Sequence, residues 1–432
     1  MMKSFGFKKL LFVLVAAAVV TGSAIVGAAD IMVKDGDRIA ITGDSITEQK
    51  IYSCYIEAYL LACSGLKDIK TFNFGCGGEQ AKGFTARMES DVWSWKPTVI
   101  TTCYGMNDGY YRRYEEQLAG EPHRNSMKKI VDFFKSKGVT VIVGTPGVVD
   151  IDTYKTRNDT DANGYNETLA KLAEFDREIA QKENVGFANV NGAMMSAMLK
   201  AKTALGRNYH VVGADGVHPG PNGQVVMAYA FLKAMGFDGQ IAAIDMDLNG
   251  QTKVSNGHKI LSQQPGMVEI ESSRYPFCFT GAEKDPAGNV SILPFMPFQQ
   301  DLNRFELKVH NLPTQKAEVI WGDQKKVFSK ADLEKGINLA AEFINNPFSA
   351  PFNQLLAELS NKQVFENWMI RNFFANFRTY MPEVDKDPKL KEALDYLRME
   401  SNRHQIDLDA KVKESLKPVK YQITVNPINN GL

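Results

Sequence analysis

Cysteine is scarce in this chain, with five in 432 residues, at positions 54, 63, 76, 103 and 278. An odd count at scattered positions excludes a disulfide framework, and no Cys-x-x-Cys pair offers a zinc site. These residues read as small buried apolar groups. Net charge is absent as well, because 50 Lys and Arg balance 50 Asp and Glu. No global field therefore draws the protein to nucleic acid or to an anionic membrane. No self-similar period of solenoid length is present. Apolar runs long enough to cross a bilayer are missing too. The nearest is Leu10–Val20, behind the basic Lys3, Lys8 and Lys9 and ahead of Gly27-Ala28-Ala29. That order predicts a signal peptide over residues 1–29 and a secreted or periplasmic protein, with an uncleaved anchor as the alternative. No cysteine near the cleavage point supports a lipoprotein. The remainder, 44% hydrophobic and 23% charged, reads as globular and long enough for two or three domains.

From Asp37 to about Gly236, short apolar runs alternate with helical stretches. Arg38–Thr42, Lys70–Phe74, Thr98–Tyr104, Thr140–Gly144 and Gly186–Val190 read as strands. Tyr52–Ala62, His123–Lys137, Tyr165–Gln181, Met194–Ala201 and Gln224–Ala234 read as helices. Such alternation predicts a parallel sheet covered on both faces, with ligands at the carboxyl ends of its strands. Beyond Gly236 the pattern changes. Val268–Glu271 and Phe305–Val309 alternate as half-buried strands do, with turns at Pro286–Asn289 and Trp321–Asp323. A β-sandwich module over 239–330 is expected, bracing the domain before it or binding polysaccharide. A helical region over 331–432 follows, with helices at Phe352–Leu359, Val364–Tyr380 and Leu390–His404 separated by prolines.

The most informative stretch is Gly43-Asp44-Ser45-Ile46-Thr47-Glu48. It sets a serine where a strand ends and a helix begins. A helix N-terminus offers unpaired N–H groups, so Ser45 there could attack a carbonyl while its own N–H receives the oxyanion. Gly43 permits the sharp turn. Ser45 and Glu48 also fit a capping box, which is the structural alternative. A serine nucleophile needs a base, and only six histidines are available. His218 lies three residues after Asp215 on a Gly/Pro-rich loop. One short loop can therefore aim the imidazole and bring a carboxylate to its other nitrogen. The glycines of Gly75-Cys76-Gly77-Gly78 and the amide of Asn107 fall after the second and third strands, where oxyanion donors are wanted. Singly, each of these segments also reads as a turn.

Jointly, Gly43-Asp44-Ser45-Ile46, Gly78, Gly105-Met106-Asn107-Asp108 and Asp215-Gly216-Val217-His218 resemble the four blocks of the SGNH hydrolase superfamily, the GDSL-type esterases. Ile46 stands where Leu is common. The resemblance implies a flavodoxin-like three-layer α/β/α sandwich over residues 30–238. It makes Ser45 the nucleophile, His218 the general base and Asp215 its orienter. It places the oxyanion hole at the Ser45 and Gly78 N–H groups and the Asn107 amide, with Gly77 a one-residue alternative to Gly78. Asp44 is left to brace the loop. The implied activity is a serine esterase working through an acyl-enzyme, without a cofactor. Export and an aromatic rim point to acetyl or other short acyl groups on carbohydrate. A lipid-directed esterase and a non-catalytic glycan-binding protein on the same scaffold are the rivals.

Tyr110 and Tyr111 follow Asn107 closely and are candidates for the substrate rim, packing being the alternative. Asp159–Ala170 and Asp245–Asn256 begin like calcium loops but lack the bidentate Glu at the twelfth position, so both read as turns and no metal is expected. Arg274 reads as packing at a strand edge. Phe365, Trp368, Met369, Phe373, Phe374 and Phe377 recur at helical spacing and are expected to pack the C-terminal helices on the rest of the chain. Oligomeric state has no signature in the sequence.

Overall fold

Five apolar runs of three to six residues form the central sheet: β1 (Arg38–Gly43), β2 (Lys70–Asn73), β3 (Val99–Cys103), β4 (Thr140–Gly144) and β5 (Gly186–Ala188). The structure, a computed structural model, describes residues 31–384 and 386–429. The proposed signal peptide lies outside the described residues. Among those described, no helix is long and apolar enough to cross a membrane. The strands are all parallel, in the order β2-β1-β3-β4-β5. β3 is buried at every position, as a strand covered on both faces must be. The helices Glu121–Ser136, Ala162–Glu183, Val190–Leu205 and Pro221–Ala234 connect and cover the sheet. The expected three-layer α/β/α architecture is what the chain adopts.

Nine further strands build two more sheets. They are β6 (Gln240–Asp247), β7 (Lys253–Val254), β8 (His258–Gln264), β9 (Met267–Ser272), β10 (Arg304–His310), β11 (Lys316–Trp321), β12 (Gln324–Ser329), β13 (Ile337–Asn338) and β14 (Val419–Ile428). Their orders are β13-β10-β6-β7 and β12-β11-β14-β9-β8. The sheets meet through Phe305 of β10, whose ring stacks on Trp321 at 5.3 Å and lies 6.2 Å from Tyr421. This is the expected sandwich, with one correction to its extent. The region 331–432 is not helical throughout, because β13 and β14 lie within it and β14 occupies the middle of the five-stranded sheet. Tyr421, Ile423 and Val425 alternate inward along β14. That period was present in the sequence. Its partners β9 and β11 lie about a hundred or more residues upstream, and nothing local announces them.

The helices between β13 and β14 return to the first sheet. The helix Ser349–Trp368 begins with Pro351 in its first turn, where a missing N–H costs nothing. It covers the open edge of β2: Asn73 N–H donates to the Glu366 carboxylate at 2.8 Å, closing an edge that would otherwise invite another strand. Met369 and Ile370 enter the same buried cluster as Phe72 and Phe74. Trp368, by contrast, stays half exposed. Arg274 donates to the carbonyls of Cys63 and Gln240 and so fastens the sandwich to the first domain. Buried apolar residues form one continuous core from Ile41 through Phe231 to Phe305 and Trp321.

Candidate active site

Ser45 is the first residue of a one-turn helix, Ser45–Glu48, directly beyond the carboxyl end of β1. The helix is capped by Asp44, whose Oδ1 accepts the Ile46 N–H at 2.9 Å. Ser45 is therefore not the cap, and the capping-box alternative does not describe this turn. Its Oγ lies 2.9 Å from His218 Nε2 instead. Gly43 is obligatory here, since a Cβ would stand 2.1 Å from Thr47 Oγ1 and 2.9 Å from the Cys103 carbonyl.

His218 Nδ1 lies 2.7 Å from Asp215 Oδ2. The carboxylate can only accept, so Nδ1 carries the proton and Nε2 is left to accept from the Ser45 hydroxyl. The other Asp215 oxygen accepts the backbone N–H groups of Val217 and His218, each at 2.9 Å. Partial burial pushes the Asp215 carboxyl up, but the His218 ring and these two N–H groups outweigh it and hold the carboxyl below its ordinary range. Pro219-Gly220 then leads into the helix Pro221–Ala234, with Pro221 in its first turn. Gln224 in that turn is buried and donates to Gln49 Oε1 at 2.7 Å while accepting the Tyr52 N–H at 2.8 Å. It ties the histidine loop to the serine turn.

The turn Cys76–Glu79 is closed by the Glu79 N–H on the Cys76 carbonyl at 3.1 Å. Gly78 sits at its left-handed corner with φ 75°, and a Cβ there would meet nothing. A Cβ on Gly77 would instead strike Arg371 and Glu48, and Gly77 N–H points to the Glu48 carboxylate. Among the described residues, the N–H groups of Ser45 and Gly78 have no hydrogen-bond partner. Below this turn, buried Arg87 grips the Glu79 carboxylate through two 2.6 Å bonds and donates to the Phe74 carbonyl.

Asn107 follows β3. Its amide nitrogen donates to the Glu79 carbonyl at 3.1 Å and lies 3.5 Å from Asp44 Oδ2. Its Oδ1 accepts the Tyr111 hydroxyl at 3.2 Å. Tyr110 and Tyr111 are consecutive left-handed residues, φ 54° and 56°, a strained pair clasped by Asn158, whose amide donates to the Tyr110 carbonyl. Arg157 stacks over the Tyr111 ring at 4.7 Å. Tyr111 thus reaches Asn107, while the Tyr110 hydroxyl reaches Gln80 Oε1 at 3.4 Å. Of the two segments that begin like calcium loops, the first holds Asp161, which caps the helix Ala162–Glu183, and the second begins within β6 rather than in a turn, where Asp245 pairs with His310 and Asp247 with Asn311.

Asp44 is fully buried beside this site. Burial pushes its carboxyl up to about 7, with Asp108 and Glu79 adding to the rise and the Ile46 N–H opposing it. The folded protein therefore holds a proton that the unfolded chain releases near pH 3.8. Between those values stability falls as pH rises. Asp44→Asn keeps the capping oxygen and removes the titration. The slope of the urea midpoint against pH across this window is expected to flatten in the variant. The whole effect is at most about 4 kcal/mol, and parallel slopes would show that Asp44 does not titrate there.

Sequence reasoning missed Gln224, the Tyr111 hydroxyl and Arg371. Arg371 forms a two-bond pair with Glu48, at 2.7 and 2.5 Å, across 323 residues of chain. No local pattern marks a partner at that distance.

The serine turn, the histidine loop and the turns of Gly78 and Asn107 all stand at the carboxyl edge of one parallel sheet, where such sheets bind ligands. Residues 41–226 match the GDSL-like Lipase/Acylhydrolase family. An acetylxylan esterase of Geobacillus stearothermophilus is 24% identical over 224 residues, covering 47% of this chain and 95% of that enzyme. The solved structure of a gut microbial diltiazem-metabolizing enzyme is 25% identical with a TM-score of 0.70, covering 92% of this chain and 98% of that one. The chain belongs to the SGNH hydrolase superfamily through this domain, and it is a carboxylic ester hydrolase.

Proposed function

We propose that the protein removes acetyl or other short acyl groups from carbohydrate, with Ser45 as nucleophile, His218 as general base and Asp215 as its orienter. The observation that carries the catalytic part is the unbroken Ser45–His218–Asp215 hydrogen-bond chain at 2.9 and 2.7 Å. Ser45 Oγ attacks the ester carbonyl as His218 Nε2 takes its proton. The carbonyl oxygen becomes an oxyanion, received by the N–H groups of Ser45 and Gly78 and by Asn107 Nδ2. The intermediate collapses, the C–O bond to the sugar breaks, and His218 protonates the leaving alcohol. Water, deprotonated by His218, then adds to the acyl carbon and releases the carboxylic acid with Ser45 regenerated.

The carbohydrate part rests on the rim. Tyr110, Tyr111, Arg157 and Gln80 gather rings and hydrogen-bonding groups around Asn107, which suits a hydroxyl-rich ring better than an alkyl chain. The acetylxylan esterase relative points the same way. Release of acetate from acetylated xylan, with p-nitrophenyl acetate turned over faster than the octanoate, is the expected result. A preference for octanoate would favour the lipid-directed rival. Absence of turnover on every ester would favour the glycan-binding one.

Tyr111 acts here as a positioning residue. Its O–H occupies Asn107 Oδ1, which leaves the amide nitrogen toward the carbonyl. Tyr111→Phe is expected to lower kcat up to about tenfold, the worth of one hydrogen bond, with KM little changed. A rise in KM at constant kcat would assign Tyr111 to ground-state binding instead.

A further inference from the structure

A cavity of about 400 Å³ runs along β2, between that strand and the C-terminal helices, with its basic end turned away from Ser45. Arg38 and Lys70, the first residues of β1 and β2, stand on its wall. Ser45 lies past the far end of β1, roughly 17 Å along the strand. The apolar floor is aromatic. Phe72 and Phe74 stack at 4.3 Å, Trp95 lies 5.7 and 6.1 Å from them, and Phe373 joins from the helical segment. Arg38, Lys70 and Lys96 also line it, together with Arg398, which pairs with Asp395, and the carboxylate of Asp409, which faces Lys362 and feels the charge of Lys70.

Two polar atoms on the wall are buried without a hydrogen-bond partner: Arg38 Nε and Gln405 Oε1. Gln405 is 7% exposed, and its amide nitrogen is held by Glu366 at 2.6 Å, so the oxygen has a fixed direction. Buried polar atoms left unpaired are costly and are rare in native proteins. A donor on Arg38, an acceptor on Gln405 and an excess of cations around an aromatic floor together describe a complementary ligand. It has a flat apolar body, an anionic end and one hydroxyl.

We propose that this cavity is a binding site for an aromatic carboxylate bearing a ring hydroxyl, separate from the catalytic centre. The carboxylate is met by Arg38 and Lys70, the ring rests on Phe72, Phe74 and Trp95, and the hydroxyl donates to Gln405 Oε1. The volume falls within the range of small-molecule pockets. This inference does not depend on the catalytic roles assigned above.

Isothermal titration of the full chain with 4-hydroxycinnamate tests it. One saturable site per chain is expected, unchanged in Ser45→Trp, whose bulk blocks the space beside His218 whether or not Ser45 is a nucleophile. Lys70→Glu, a change at an exposed side chain that leaves the core intact, is expected to weaken binding at least about fivefold through reversal of one charge. Cinnamate, which lacks the hydroxyl, and the methyl ester, which lacks the charge, are each expected to bind more weakly. The proposal is overturned by the absence of saturable binding at millimolar probe. It is equally overturned by undiminished binding to Lys70→Glu, by cinnamate or the ester matching the probe, or by loss of the site in Ser45→Trp.

Discussion

Ser45→Ala is expected to lower ester turnover by at least about ten-thousandfold while leaving the urea midpoint where it is. Removal of a nucleophile from a hydrogen-bonded triad costs on that order, because base and orienter then have nothing to activate. The stability half of the expectation follows from the cap. Had Ser45 closed a capping box, its loss would cost about 1 kcal/mol. Asp44 closes the turn instead, and among the described residues Ser45 Oγ hydrogen-bonds only His218. Activity of the alanine variant on p-nitrophenyl acetate within tenfold of wild type would sink the nucleophile assignment. Activity lost together with a lowered midpoint would mean that the turn itself had been disrupted.

Lys362→Met is expected to destabilise the protein by about 3–5 kcal/mol, the cost of stripping the partner from buried charges. Lys362 is fully buried. Its Nζ lies 2.5 Å from Glu57, 3.2 Å from Glu366 and 3.5 Å from Asp409, and it donates to the Thr71 carbonyl of β2 at 2.9 Å. Burial works against its charge, but the carboxylates of Glu366, Glu57 and Asp409 outweigh it and hold the proton well above the ordinary lysine range. Burial already pushes Glu366 up to about 7, against the pull of Lys362. Without the lysine, Glu366 and Asp409, both already raised by burial, rise further. An acid whose folded value is raised contributes stability at low pH and loses it as pH climbs. The deficit of the variant is therefore expected to be smallest near pH 5 and to grow toward pH 8. Combining Lys362→Met with Glu57→Gln and Glu366→Gln is expected to recover much of it. A single variant equal to wild type at every pH would show that the carboxylates find other partners.

The same network explains why the C-terminal helices belong to the hydrolase domain. Glu366 and Gln363 engage the backbone of Asn73 and its side chain at the end of β2. Asn73 in turn accepts the Gly75 N–H and donates to the Thr47 carbonyl. Arg371 completes the bracing at Glu48. The serine turn and the Gly78 turn are thus held from a helix about 300 residues away.

Much of the proposed site was legible in the sequence. A glycine–serine turn, an Asn-Asp pair and an Asp-x-x-His loop, each at the end of an apolar run, are local signals, and a parallel sheet gathers strand ends on one edge. What remained open turned on a single neighbour. Gly77 and Gly78 are indistinguishable by pattern, and the preference for Gly78 rests on the Glu48 carboxylate, held by Arg371 and faced by the Gly77 N–H, while among the described residues the Gly78 N–H has no partner. Ser45 likewise fitted a capping box in the sequence, whereas the cap that accepts the Ile46 N–H is Asp44, there expected only to brace the loop.

By itself the sequence determined the strand–helix alternation, the parallel sheet and the segments that carry serine, histidine and donors. Backbone propensity, hydrophobic period and turn chemistry act within a few residues and are written there. Tertiary structure alone decided that β14 enters the middle of a sheet begun some 160 residues earlier. It also decided that Lys362 and Arg371 lock the helical segment onto β2 and the serine turn, and that Tyr111 orients Asn107. Those choices are made by desolvation. A buried strand edge, carboxylate or amide must find a partner once water is excluded, and which partner lies within reach is a property of the packed chain.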